Sequence, residues 1–335
     1  MHRSVLRELI YVVGLLAAFA SLIFLPEITS GGVVSGLRMC AEAILPALFP
    51  FFVCTNLMGR LGLSRKLSAL LAPLTKQLFG CEAAAAPFVF GLLGGYPAGA
   101  KAIADLYRTK QLEERTAKRL LRFCNNSGPA FIFGVVGSRV FHSGKVGLFL
   151  YGIQILSAVV CGLLSRKSSG AAPTTADEKP LPFPAAFTES VRDAGNTALQ
   201  VCMFVTIFSV FSALLRFFLE PLLPPALLPF ATGILELSCG TQALADSCLP
   251  FRLQLVLSSF LLAFGGISIH AQTKALLLDA GLPDAPVLLP KLLQSCIAAL
   301  LTVLFLHPAG IVCVIGSISL CFLKLISGNL RANRV

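Results

Sequence analysis

Long apolar runs broken by short polar or glycine-rich clusters dominate the chain from end to end. The first run, Leu9 to Pro26, follows Arg3 and Arg7, is long for a signal-peptide core and lacks a small-x-small cleavage pattern, so it predicts a retained helix. Gly31 to Ala43 is short and mildly amphipathic and is expected at the membrane surface, ahead of a second span from Ile44 to Leu61. Ala83 to Tyr107 is apolar but carries three glycines and a proline at its centre, Gly94-Gly95-Tyr96-Pro97-Ala98-Gly99. No straight helix tolerates that density, so two half-helices meeting at a turn, a re-entrant hairpin, are predicted. Irregular backbone of this kind persists at membrane depth only inside protein or beside a wet cavity.

Leu112 to Val140 is interrupted in the same way. Its first half is basic and amphipathic, its centre reads Asn125-Asn126-Ser127-Gly128-Pro129, and its second half is apolar again. A span from Val146 to Leu164 follows, then a mixed Ser, Thr, Pro and charged stretch from Arg166 to Pro184 that reads as a flexible linker. The second half repeats the order: a span from Ala198 to Phe218, a broken segment with Glu236-Leu237-Ser238-Cys239-Gly240 at its centre, and a further one broken at Gly265-Gly266-Ile267-Ser268. Spans at Val287–Leu306 and Ile311–Ile326 close the chain.

Composition narrows the class. Hydrophobic residues make up 56% of the 335 and charged residues 13%, about half the share of a soluble domain. That excludes an ordinary water-soluble enzyme and a disordered chain, and indicates an all-α polytopic membrane protein with about eight transmembrane helices and two re-entrant hairpins. The 27 basic residues against 16 acidic ones are dispersed rather than clustered, which argues against a nucleic-acid partner and for basic cytoplasmic loops. The eleven cysteines contain no C-x-x-C pair, so they read as small apolar packing residues with no metal site. No H-E-x-x-H, G-x-S-x-G or carboxylate pair is present, and Ala100 separates Gly99 from Lys101 where a phosphate-binding loop needs Lys directly after Gly. The chain reads as a non-enzyme with no cofactor and no catalytic residue.

The two halves resemble each other. One constant offset carries Gly99 onto Gly240, Asp105 onto Asp246, Phe123 onto Phe264 and Ser127 onto Ser268. Each repeat makes an odd number of crossings, so the second is inverted with respect to the first. With both termini cytoplasmic, Arg60, Arg65, Lys66, Lys101, Arg108, Arg166 and Lys167 fall inside, the loop after the first broken helix leaves only Arg139 and Lys145 outside, and the positive-inside rule fits at nearly every loop. The expected plan is an N-terminal helix and interfacial segment (1–43), a first repeat (44–165), a linker with an interfacial segment (166–196), an inverted second repeat (197–306) and a C-terminal helix with tail (307–335). Paired discontinuous segments in inverted halves point to a secondary transporter with its site near the midplane.

Three runs carry a family resemblance: Gly91 to Lys101 (GLLGGYPAGAK), Cys124 to Gly134 (CNNSGPAFIFG) and Ala263 to Gln272 (AFGGISIHAQ). They resemble the YlbJ-type sporulation integral membrane proteins, of the nucleoside-recognition Gate domain superfamily, related in architecture to concentrative nucleoside transporters. The resemblance implies a role in endospore formation, a place in the bacterial cytoplasmic membrane, specifically the outer forespore membrane, and dipicolinic acid as the solute.

Within this plan the candidate solute-binding residues are the polar side chains at the breaks: Asn125, Asn126 and Ser127 in the first half, Ser268, His270 and Gln272 at the equivalent break, and Thr241 and Gln242 on the second hairpin. Their plainer reading is capping of half-helix ends. His270 is ionisable within an apolar segment, where such residues are usually functional. Glu236 is the candidate ligand of a coupling Na+ or H+. Gly94, Gly95, Pro97, Gly99 and Gly240 are assigned to hairpin-tip geometry. The expected partners are a small organic anion and the lipid bilayer, and the sequence leaves room for a homo-oligomer. Two other functions stay open on the residues alone: transport of a nucleoside-type solute, and a non-transporting membrane partner in a sporulation or envelope complex.

Overall fold

A computed structural model describes residues 2–167, 181–224 and 227–307. Its elements, in order, are α1 (His2–Phe24), α2 (Pro26–Met39), α3 (Leu45–Arg60), α4 (Leu63–Phe79), α5 (Ala85–Leu93), α6 (Ala98–Arg108), α7 (Glu114–Cys124), a wide-turn π-type helix (Ala130–Val140), α8 (Gly144–Leu164), α9 (Phe183–Leu219), α10 (Leu228–Leu235), α11 (Leu237–Ala245), α12 (Phe251–Phe264), α13 (Gly266–Asp279) and α14 (Leu288–Leu306). The described residues are helices and their connections, without a strand. Among the described residues, five helical stretches are long and apolar enough to cross a membrane: Pro26–Arg60, Gly144–Leu164, Phe183–Leu219, Phe251–Asp279 and Leu288–Leu306. Val12–Phe24, Glu82–Leu93 and Ala130–Val140 are shorter apolar pieces. The expected span Ile311–Ile326, the tail and most of the linker lie outside the described residues.

The outer faces are apolar. On α9, Leu199, Met203, Ile207 and Phe211 recur every fourth residue and are exposed, and on α14 so are Leu289, Leu293, Leu300 and Val303. A continuous exposed stripe of this kind suits hydrocarbon and not water. The polar side of α14 turns inward, burying Lys291, Gln294, Ser295 and Thr302.

One segment departs from the sequence reading. Gly31 to Ala43 does not form a separate surface piece: α2 passes through a single π turn, Cys40–Ile44, into α3, so that Pro26–Arg60 is one helical rod. The reason is packing. A Cβ on Gly32 would stand 2.8 Å from Val210 Cα, and one on Gly36 would stand 2.7 Å from Thr206 Cα. This Gly-x-x-x-Gly face lets the backbones of α2 and α9 meet directly. Along the same antiparallel contact, Arg60 pairs with both Glu189 and Asp193 of α9. At roughly 55 Å for 37 residues, α9 is longer than a hydrocarbon core is thick.

The two broken segments of each half frame the molecule's centre. Hairpin α5–α6 reaches in from the end where α8 finishes, where Gly162 lies against Phe79 and Phe123, and Phe79 stacks edge-on with Phe88 of α5 at 5.1 Å. Hairpin α10–α11 reaches in from the opposite end, where α8 starts and Phe141 meets Phe251 at 6.1 Å. Between them α7 stops at Cys124 and the π-type helix starts at Ala130, while α12 stops at Phe264 and α13 starts at Gly266. Each interruption coincides with one of the polar or glycine clusters.

Candidate functional site

The hairpin tips and both helix breaks line one small cavity. Gly94, Gly95 and Tyr96 come from the first tip, Glu236, Leu237 and Ser238 from the second, Ser127 and Gly128 from the first break, and Ser268, Ile269 and Gln272 from the second. Apolar walls are supplied by Ile44, Leu48, Phe131, Val201 and Val205. The space is about 50 Å³, enough for a few waters and too small for an aromatic diacid.

Why these side chains are held follows from the breaks themselves. A helix that stops in the interior leaves carbonyls in its last turn without intrahelical partners. At the end of α12, Ser127 Oγ donates to Leu262 O at 3.0 Å, and Tyr96 Oη donates to Ala263 O at 2.9 Å. The first half therefore satisfies the break of the second. Asn125 braces in the other direction: its Oδ1 accepts from Ala100 N at 3.3 Å and its Nδ2 donates to Thr273 Oγ1 at 3.2 Å, joining α6 to α13. Glu236 caps α11, accepting from Cys239 N at 2.7 Å, and its fully buried carboxylate also borders the cavity. Gln272 Nε2 donates to Ser268 Oγ at 3.4 Å, so the two form a pair on the cavity wall.

Other residues singled out in the sequence lie apart. Thr241 bonds back to Leu237 O and Ser238 O within α11, and Gln242 donates to the carboxylate of Asp246 in an outer groove. His270 packs its ring edge-on against Phe264 at 4.8 Å and buries Nε2 without a partner. At the tips, Pro97 follows a cis peptide bond, Gly99 lies against Gly91 and the Cys124 carbonyl, and Gly240 lies against Gly233.

Asn126 faces away from the cavity, into a second polar cluster that the sequence reading did not contain. Its Nδ2 donates to Phe123 O at 2.7 Å. Its Oδ1 accepts from Gln294 Nε2 at 2.8 Å, Gln154 Nε2 at 3.1 Å and Lys291 Nζ at 3.4 Å. Lys291 also donates to Gln294 Oε1 at 2.6 Å and sits 5.5 Å from the centre of the Tyr96 ring. Asn126, Gln154, Lys291 and Gln294 are each no more than 1% exposed, and Gln154 Oε1 has no hydrogen-bond partner. The signal that finds Lys291 is visible in the sequence: it is a lysine inside the apolar run Val287–Leu306. Its partner Asn126, in the break after α7, and the Gln154 of α8 that shares that oxygen are not.

No protein-family model matches the chain, and no solved structure matches it. It is 27% identical, over 346 aligned positions covering 92% of its length and 85% of the relative's, to the sporulation integral membrane protein YlbJ of Bacillus subtilis. The YlbJ-type resemblance carried by the three motif runs thus extends along nearly the whole chain.

Proposed function

We propose that the chain is a secondary transporter of a small organic anion, with dipicolinate as its preferred substrate during endospore formation. One observation carries the reading: the polar breaks of both halves converge on a single cavity, lined from opposite ends of the molecule by two short hairpins. A scaffold has no need of four interrupted helices at its centre, because each interruption exposes backbone groups that must be satisfied by other means. A transporter does need them, since half-helix ends and freed amides are what meet a solute and a coupling ion at the midplane. The name of the YlbJ relative adds the sporulation setting, and the resemblance adds the substrate and the Gate-type architecture.

In this reading Ser127, Ser268 and Gln272 are the cavity's uncharged contacts, and Glu236 is the place for a coupling Na+ or H+. The hairpins are re-entrant, both termini are cytoplasmic, and the protein lies in the outer forespore membrane. A cavity of about 50 Å³ must enlarge to admit dipicolinate, and in this reading the hairpins move to enlarge it. Uptake of labelled dipicolinate and of uridine into proteoliposomes tests the reading directly. Dipicolinate uptake that saturates and exceeds uridine uptake is expected. Uridine uptake alone replaces the substrate class, and uptake of neither, together with normal dipicolinate in spores of a deletion strain, removes transport.

A further inference from the structure

Three donors converge on one uncharged oxygen at Asn126. An amide carbonyl offers two lone pairs, yet Asn126 Oδ1 faces Gln294 Nε2, Gln154 Nε2 and Lys291 Nζ at 2.8, 3.1 and 3.4 Å. One of the three is the terminal nitrogen of a lysine, buried to 1% exposure, and no carboxylate among the described residues pairs with it. An ammonium moved out of water loses solvation that an opposite charge ordinarily offsets. Here it has two amide oxygens and the face of Tyr96. The cluster is built for a negative oxygen, and the chain does not supply one.

We propose that Lys291, Gln154 and Gln294 form a carboxylate-binding site in which Asn126 Oδ1 holds the place of a ligand oxygen. The inference rests on the transport reading and supplies what that reading lacks, a positive charge to select an anion. The cavity and the cluster share a wall: Tyr96 lines the first and lies beneath Lys291 in the second. A solute entering at the hairpin tips meets the hydroxyl and amide groups of Ser127, Ser268 and Gln272, and a swing of the Tyr96 ring brings its carboxylate to Lys291. The carboxylate then takes over the three donors, and the Asn126 amide is displaced. Specificity follows from charge: a neutral solute of the same shape leaves the ammonium uncompensated.

The test compares the full-length wild type with Lys291→Gln and Lys291→Met in proteoliposomes and nanodiscs. Its probes are dipicolinate and its neutral isostere pyridine-2,6-dicarboxamide. In the wild type, dipicolinate is expected to raise the unfolding temperature and the diamide is not. Both variants are expected to insert at normal level and to be at least as stable as the wild type, because an unpaired buried charge has gone. They should show a KM for dipicolinate raised about tenfold or more, and no preference for dipicolinate over the diamide. Folded variants that keep the wild-type KM and the wild-type preference would overturn the proposal. So would variants that fail to fold, since the lysine would then be structural. If the wild type transports nothing, the thermal shift still decides whether Lys291 selects the anion, so failure of the site and failure of the transport reading are read separately.

Discussion

Gly95 offers the sharpest test of how the hairpin tip is built. It adopts φ of +74°, and a Cβ there would stand 2.8 Å from Gly128 N and 3.0 Å from Gly128 Cα. Gly95→Ala therefore carries two costs: about 1–2 kcal/mol for the left-handed backbone, and about 1–3 kcal/mol for overpacking against a backbone that cannot yield as a side chain does. Together they predict a loss of about 2–5 kcal/mol. Three companion variants separate the terms. Gly281 has φ of +81° with open space around it, so Gly281→Ala should show the backbone cost alone. Gly128 has ordinary φ, but its Cβ would stand 2.7 Å from Gly95 Cα, so Gly128→Ala should show the clash alone. Gly152, helical and with nothing within 4 Å, should gain about 0.5–1 kcal/mol as Ala. Reversible unfolding of the purified variants in mixed micelles gives the four values. If Gly95→Ala is no less stable than Gly281→Ala, tip and break do not touch, and the shared cavity loses its foundation.

Two further outcomes follow from the fold. Once the native thiols are replaced, single cysteines at positions 142 and 167 should react with an impermeant maleimide from opposite sides, since α8 joins these ends of the molecule; labelling from one side would refute α8 as a crossing. Gly36→Val should lower the amount of folded protein and its unfolding temperature, because even one Cβ stands 2.7 Å from Thr206 Cα; an unchanged unfolding temperature would mean that α2 does not pack on α9.

The places where helices stop were legible because glycine, proline and tandem asparagine act locally. The interruptions at Gly94–Pro97, Asn125–Pro129, Glu236 and Gly265 need no tertiary information. Direction was not legible. Asn125, Asn126 and Ser127 are consecutive, yet in the broken backbone they reach Thr273, Gln294 and Leu262 in turn, and only Ser127 borders the cavity. A run of polar residues at a break says that something polar is nearby, and the local dihedral angles decide what. The same limit hid the role of α2, whose glycines look like surface residues until α9 is beside them. It hid the cluster around Asn126 too, because Gln154 and Gln294 read singly as polar residues tolerated in apolar spans.

The hydrogen bond from Tyr96 to the end of α12 has a mechanical consequence. Together with Ser127 it occupies the carbonyls of Leu262 and Ala263, which have no helical partner across the break. Any displacement of the first hairpin that withdraws Tyr96 alone strands the Ala263 oxygen, since Ser127 still holds Leu262 O, and incoming water must then replace the phenol. Opening and wetting are then a single event, and a protein built this way cannot gape without hydrating. The rate of opening should fall when osmolytes lower the activity of water, even though opening consumes none.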